Sequence, residues 1–244
     1  MENQIYSQPL RQDSVPFSAS LAASFFPNHF VQPPTTFSGS TKVPCNLSVT
    51  VNSTELALNL LAIAFWYLRE NSLIRFAPAA RQGLVFTYTP IVVEINRLSQ
   101  QRIPGLEYDL IEVAKQFAPG ATIEQIVYQF FETTVEYTQE KIFRRMTQWI
   151  VQLGYGPFIN EDPVTPEEAK RFFKYRNMKS FDFRFAPDCQ RIAGTQPAAQ
   201  QIHQGWMKFQ TEESELFRQI YAQGERAMKS RTYQSTGSDS FGDF

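Results

Sequence analysis

Two apolar stripes at helical spacing, between Thr122 and Gly156, constrain this chain more than any other stretch. Ile123, Ile126, Val127, Phe130 and Phe131 recur as one face of a helix. Ile142, Phe143, Met146, Trp149, Ile150 and Leu153 form a second stripe. So many large side chains at a 3.6-residue period predict one long helix, or two with little between them, bedded in a core. Opposite the second stripe, Lys141, Arg144, Arg145, Gln148 and Gln152 share a polar, basic face. That face is either the solvated back of a core helix or a surface lying against something anionic. Gly154 and Gly156 end the helix, because glycine accepts left-handed backbone angles.

Residues 1–45 read as an arm. Gln, Ser, Pro, Thr and Phe dominate it, with Pro9, Pro16, Pro27, Pro33, Pro34 and Pro44 scattered through. Proline at that density prevents long helices and lowers the cost of ordering an extended chain. Phe17, Leu21, Phe25, Phe26 and Phe30 make the arm sticky. It either docks on a neighbouring copy through these side chains or forms a short helix, 18–26, on its own core. Residues 46–54 alternate apolar and polar, as a short strand or a lead-in to a helix over 55–71 capped by Thr54. That helix is apolar nearly all round and belongs at the centre of the fold. Its apolar run, 56–68, is too short to span a bilayer and is interrupted by Asn59.

Ile74, Phe76, Val85, Phe86, Tyr88, Ile91, Val92 and Val93 favour strands about a Gln82-Gly83 turn. A helix starting after Thr89-Pro90 is the alternative. Residues 99–105 form a loop, and a helix over 106–117 is stopped by Pro119-Gly120. Thr165-Pro166-Glu167-Glu168 is a capping box that opens a helix to about residue 178. Residues 187–199 read as loop, 200–230 as helix, and 231–244 as a small, polar, mobile tail. The expected fold is mainly α: a single helical core domain over 46–230, with room for a small β-hairpin, an extended N-terminal arm over 1–45 and a flexible tail over 231–244.

Net charge is −1, so no global field draws the chain to nucleic acid or membrane, and any anion site is local. Between residues 141 and 191 there are ten Lys and Arg against six Asp and Glu. Lys170, Arg171, Lys174, Arg176 and Lys179 are interleaved there with Phe172, Phe173, Tyr175 and Phe181. Cations contact phosphates and aromatic rings stack on bases, which together bind single strands without reading sequence. Arg144, Arg145, Arg171, Lys174, Arg176, Lys179 and Asp182 are the candidate RNA contacts. Asp182, flanked by Phe181 and Phe183, suits holding an arginine in place better than touching phosphate, since like charges repel. It is also a candidate for a buried carboxylate with a raised pKa.

The chain carries no phosphate loop, dinucleotide fingerprint, HExxH or nucleophile elbow, so neither an enzyme nor a cofactor is expected. His29 and His203 sit in unrelated contexts, and Cys45 and Cys189 lie far from a CxxC spacing. These four are not expected to hold a metal; one disulfide between the cysteines is open, but nothing demands it and they are read as reduced thiols. The N-terminus lacks the basic region and apolar run of a signal peptide. The sequons Asn46-Leu-Ser and Asn52-Ser-Thr therefore read as chance matches.

ATIEQIVYQFFETTVEYTQEK, followed later by YRNMKSFDF, resembles the core of the coat proteins of flexuous filamentous plant viruses, the potyvirus and potexvirus kind. In that family a helix of similar apolar and aromatic order leads to a basic segment ending in a Phe-Asp-Phe triplet, here Phe181-Asp182-Phe183. YDLIEVAKQ fits the family's lead-in helix, and arm, helical core and tail match its layout. The resemblance covers about a quarter of the chain. It implies a structural subunit that polymerises with copies of itself into helical filaments and packages single-stranded RNA, in the virion and the host cytoplasm, with no membrane partner. Family members hold RNA with a serine, an arginine and an aspartate. The aspartate corresponds to Asp182 and the arginine to Arg176 or Arg171. Phe131 stands where the serine is expected, a departure that removes a polar contact. More loosely, LLAIAFWYLRENSLIRF and GLVFTYTP resemble the helix-then-hairpin of the Golgi phosphoprotein family. That likeness implies a winged-helix-like adaptor for an anionic membrane surface or a protein partner. The arginines that bind lipid headgroups in that family do not line up on Arg144 and Arg145.

Overall fold

Helix α3 (Ser53–Glu70) lies at the centre of the fold, as a helix apolar on nearly every face must. The structure is a computed structural model that describes residues 17–34, 39–78, 90–96, 102–117, 120–131, 138–157 and 186–237, the last stretch with side chains to residue 230. Around α3 pack α1 (Ala19–Phe25), α4 (Leu106–Ala114), α6 (Thr138–Gln152) and the long α9 (Ser214–Gly237). Helix α5 (Ile123–Phe131) lies between α9 and α4, and α8 (Gln196–Glu212) packs on α1 and α9. The fold is mainly α, with two small antiparallel sheets among the described residues.

Both stripes of the central stretch are core. Ile123, Ile126, Val127, Phe130 and Phe131 are buried on α5, and Ile142, Phe143, Met146, Trp149 and Ile150 on α6. What joins α5 to α6 lies outside the described residues. Beyond α6, Gly154 takes φ 75°, and Leu153 N–H closes the last turn on the Trp149 carbonyl at 2.9 Å. Asn59, the polar interruption of α3, is buried and donates to the Phe30 carbonyl at 3.0 Å, which fastens α2 (Pro27–Phe30) to the central helix.

Strands β1 (Ser40–Val43) and β2 (Asn46–Asn52) form a hairpin with a register shift at Lys42/Val43 and Cys45 at φ 61° in its turn. β2 runs straight into α3, so the N-cap is Asn52 rather than Thr54. Its Oδ1 accepts from the N–H groups of Thr54 and Glu55 at 3.0 and 3.1 Å. The second sequon asparagine is therefore a cap. β3 (Ile74–Pro78) pairs with β4 (Ile91–Ile95), and β4 with β5 (Ala121–Thr122). The alternatives after Pro90 resolve as a strand, because Ile91 to Ile95 find backbone partners from Pro78 back to Ile74. The turn expected at Gln82-Gly83 lies outside the described residues.

The structure corrects three expectations about the ends. Residues 19–30 are not an extended arm: Ser18 caps α1, and Leu21, Phe25 and Phe30 are buried in the chain's own core. Phe17 and Phe26 are partly buried against the same core. Residues 1–16 lie outside the described residues. The segment 187–199 is not a loop. Asp188 caps α7 (Cys189–Gly194), and α8 begins at Gln196 with proline in its first turn. The helical pattern expected over 200–230 divides at Glu213, and α9 continues into the supposed tail as far as Gly237.

A buried carboxylate joins α1 to α4. Glu107 is wholly buried, with Oε1 accepting from Ser20 N–H at 2.8 Å and Oε2 in a short hydrogen bond with the Ser20 hydroxyl. That hydroxyl also accepts from Leu106 N–H at 3.2 Å and lies 3.3 Å from the Ser18 hydroxyl. Gly105, at φ 95°, leaves room for the cluster, since a Cβ there would stand 2.9 Å from Glu107 Oε2. Burial pushes Glu107 up to about 7, against the opposing hydrogen bonds from Ser20, its own backbone and Ser18. A carboxyl raised on folding stabilises fully below its unfolded value near 4.5 and loses that contribution as pH climbs through about 7. Relative to Glu107→Gln, which stays neutral and keeps a donor and an acceptor, the native chain should lose about 2–3 kcal/mol between pH 5 and pH 8. Urea titrations of both proteins at the two pH values check this. Parallel pH profiles would mean that the carboxyl is not buried in solution.

Candidate nucleic-acid interface

The basic face of α6 is partly occupied by the protein itself. Arg145 makes a two-point contact with Asp109 of α4, Nε to Oδ2 at 3.0 Å and Nη2 to Oδ1 at 2.5 Å. Its Nη1 donates to Gln148 at 2.7 Å, and Trp149 Nε1 donates to the same Asp109 at 3.1 Å. Asp109 is buried, so this charge-assisted pair joins α4 to α6. Arg145 is therefore a structural cation and leaves the candidate set. A buried aspartate without its arginine would be an unpaired charge in the interior. Lys141 lies over the Phe130 ring at 5.0 Å, and Arg144 is exposed. The face is thus divided: Arg145 turns inward, and Arg144 is the exposed cation of the original set.

The strip of Lys170, Arg171, Lys174, Arg176 and Lys179, with Asp182, lies outside the described residues, as does the capping box at 165–168. Its two ends are described. Ala186 N–H donates to the Pro157 carbonyl at 3.0 Å and Asp188 N–H to the Tyr155 carbonyl at 2.8 Å. The described chain therefore resumes at Ala186 beside the point, Pro157, where it breaks off. Arg191 reinforces this base. Its guanidinium lies 4.8 Å from the Tyr155 ring centre and donates to the Gly154 carbonyl at 3.1 Å. Tyr155 in turn packs against Phe25 of α1, with ring centres 4.8 Å apart. Burial raises the Tyr155 phenol, and Arg191 acts in the opposite direction.

A disulfide completes the base. Cys189, the first residue of α7, is bonded to Cys45 in the β1–β2 turn, with Cα atoms 5.4 Å apart. The expected reduced thiols are thus corrected: chain return brings two residues 144 apart into bonding range. Tyr155, Asp188 and Arg191 were missed as members of this arrangement. The legible signal was Pro187-Asp188, an N-cap residue three positions ahead of Arg191, whose N–H it receives at 3.0 Å.

The buried carboxylate expected at Asp182 has its described counterpart at Glu107, which lines no cleft of this interface. Among the described residues no helix is long and apolar enough to cross a membrane, and no group of three or more His, Cys, Asp or Glu is placed to hold a metal ion. Comparison of the chain with protein-family models, with curated proteins and with solved structures found no match.

Proposed function

We propose that this chain is a structural subunit that packages single-stranded RNA and polymerises with copies of itself. The observation that carries the reading is the closed base at Pro157 and Ala186, which brackets the basic and aromatic strip of a chain of net charge −1. A subunit that coats any stretch of a genome needs phosphate contacts and stacking surfaces, not base recognition. A local cluster of cations on a chain of net charge −1 supplies them without the self-repulsion that a strongly charged subunit would suffer in an array. Arg171, Lys174, Arg176 and Lys179 neutralise phosphates in this reading, Asp182 orients an arginine, and exposed Arg144 adds a cation from α6. Contacts between copies do not run through Leu21, Phe25 or Phe30, which are buried at home.

Titration with single strands of unrelated sequence tests the reading. Affinity should fall steeply with ionic strength and hardly change with sequence. Arg171→Ala with Arg176→Ala should flatten the salt slope by up to about two units. An unchanged slope in the double variant would place the RNA elsewhere. Negative-stain microscopy of the purified chain with RNA, showing neither filaments nor rings, would remove the polymerising role.

A further inference from the structure

The chain has only two histidines, and the fold brings them together. His29 lies in the last turn of the proline-led helix α2 and His203 on α8, yet their ring centres are 5.8 Å apart with planes inclined at 56°. They line a small cleft with Gln196 and Gln200, walled by Phe26 and Phe30. Phe26 meets His29 edge-on, and Phe30 meets His203 edge-on at 5.3 Å. Two imidazoles bound to one ion through bonds of about 2.0 Å place their ring centres roughly 5–6 Å apart, which is the spacing here.

We propose that His29 and His203 form a two-histidine site for a late first-row divalent metal ion, copper(II) most tightly, then nickel(II) and zinc(II). Imidazole is the common ligand of these ions, and copper(II) heads their affinity order. With no third His, Cys, Asp or Glu beside them among the described residues, the remaining positions fall to water and to the amide oxygens of Gln196 or Gln200. The bound ion would tie α2 to α8.

Calorimetric titration of the untagged, oxidised chain with copper(II), nickel(II) and zinc(II) chlorides at pH 7.5 tests the site. One ion per chain should bind, in that order of affinity, and each should raise the melting temperature in proportion to the logarithm of its concentration. His29→Gln, at an exposed position, should fold normally and weaken copper(II) at least tenfold. His203→Gln should do the same. Copper(II) in the native chain should show two nitrogen ligands by electron paramagnetic resonance, and one in either variant. Equal affinities in the native chain and in a correctly folded His29→Gln variant would overturn the proposal, as would a native chain that binds none of the three ions.

Discussion

Deletion of residues 1–34 is expected to abolish cooperative folding. Ala19, Leu21, Ala22, Ala23 and Phe25 are at most 1% exposed, a density of burial that no docking arm has before it meets its partner. Phe25 touches Tyr155 at the closed base and stacks on Phe17 at 6.0 Å, while Tyr67 of α3 donates to the Phe17 carbonyl at 3.1 Å. Removing α1 would uncover one side of α3 and take both Ser20 donors from the Glu107 carboxyl. Even Phe25→Ala alone should cost about 3–5 kcal/mol, from lost burial and the cavity left behind. Domains of ordinary stability hold about 5–15 kcal/mol in total, so losing the whole helix exceeds what the core can absorb. Circular dichroism melts of the two variants check this. A normal transition in the truncated chain would return residues 1–34 to the role of a dispensable arm.

Replacing Cys45 and Cys189 together by serine should have the next largest effect. The bond closes a separation of 144 residues, and loop entropy assigns such a closure about 5 kcal/mol as an upper bound, with measured bridges mostly near 2–4 kcal/mol. Both cysteines are exposed, so the serines meet water and the change isolates the cross-link from the packing. Urea unfolding with and without a dithiol reductant should show a lower midpoint for the reduced chain and for the double variant alike. Midpoints that coincide in all three samples would mean that the bond does not constrain the unfolded chain. Thiol titration of the native protein is the companion measurement. Free thiols would favour a reducing compartment, and their absence an oxidising one.

The helical core was legible where the signal was local. The stripes on α5 and α6 and the all-round apolar α3 depend on spacing within one segment, and periodicity reads that directly. For the first forty-five residues the sequence left an arm and a short helix over 18–26 both open, because proline density argues against long helices but not against the seven residues of α1. What settles α1 is α3, Tyr155 and Glu107, all distant in sequence. Helix α7 was hidden for a similar reason, with Pro187 read as loop although it only precedes the cap at Asp188. The basic face of α6 was visible, but its division was not. Arg145 is turned inward by Asp109, a residue 36 positions away, and no helical period encodes that. The meeting of His29 with His203 and of Cys45 with Cys189 belongs to tertiary structure in the same way.

The closed base at Pro157 and Ala186 makes residues 158–185 exchangeable in principle. Because the two ends are held by Tyr155, Asp188, Arg191 and the hairpin cysteine, the core does not depend on the intervening chain to join them. Doubling the length between fixed ends costs only about 0.6 kcal/mol in closure entropy. A peptide of different length spliced between Pro157 and Ala186 would therefore meet ends already held side by side by the core.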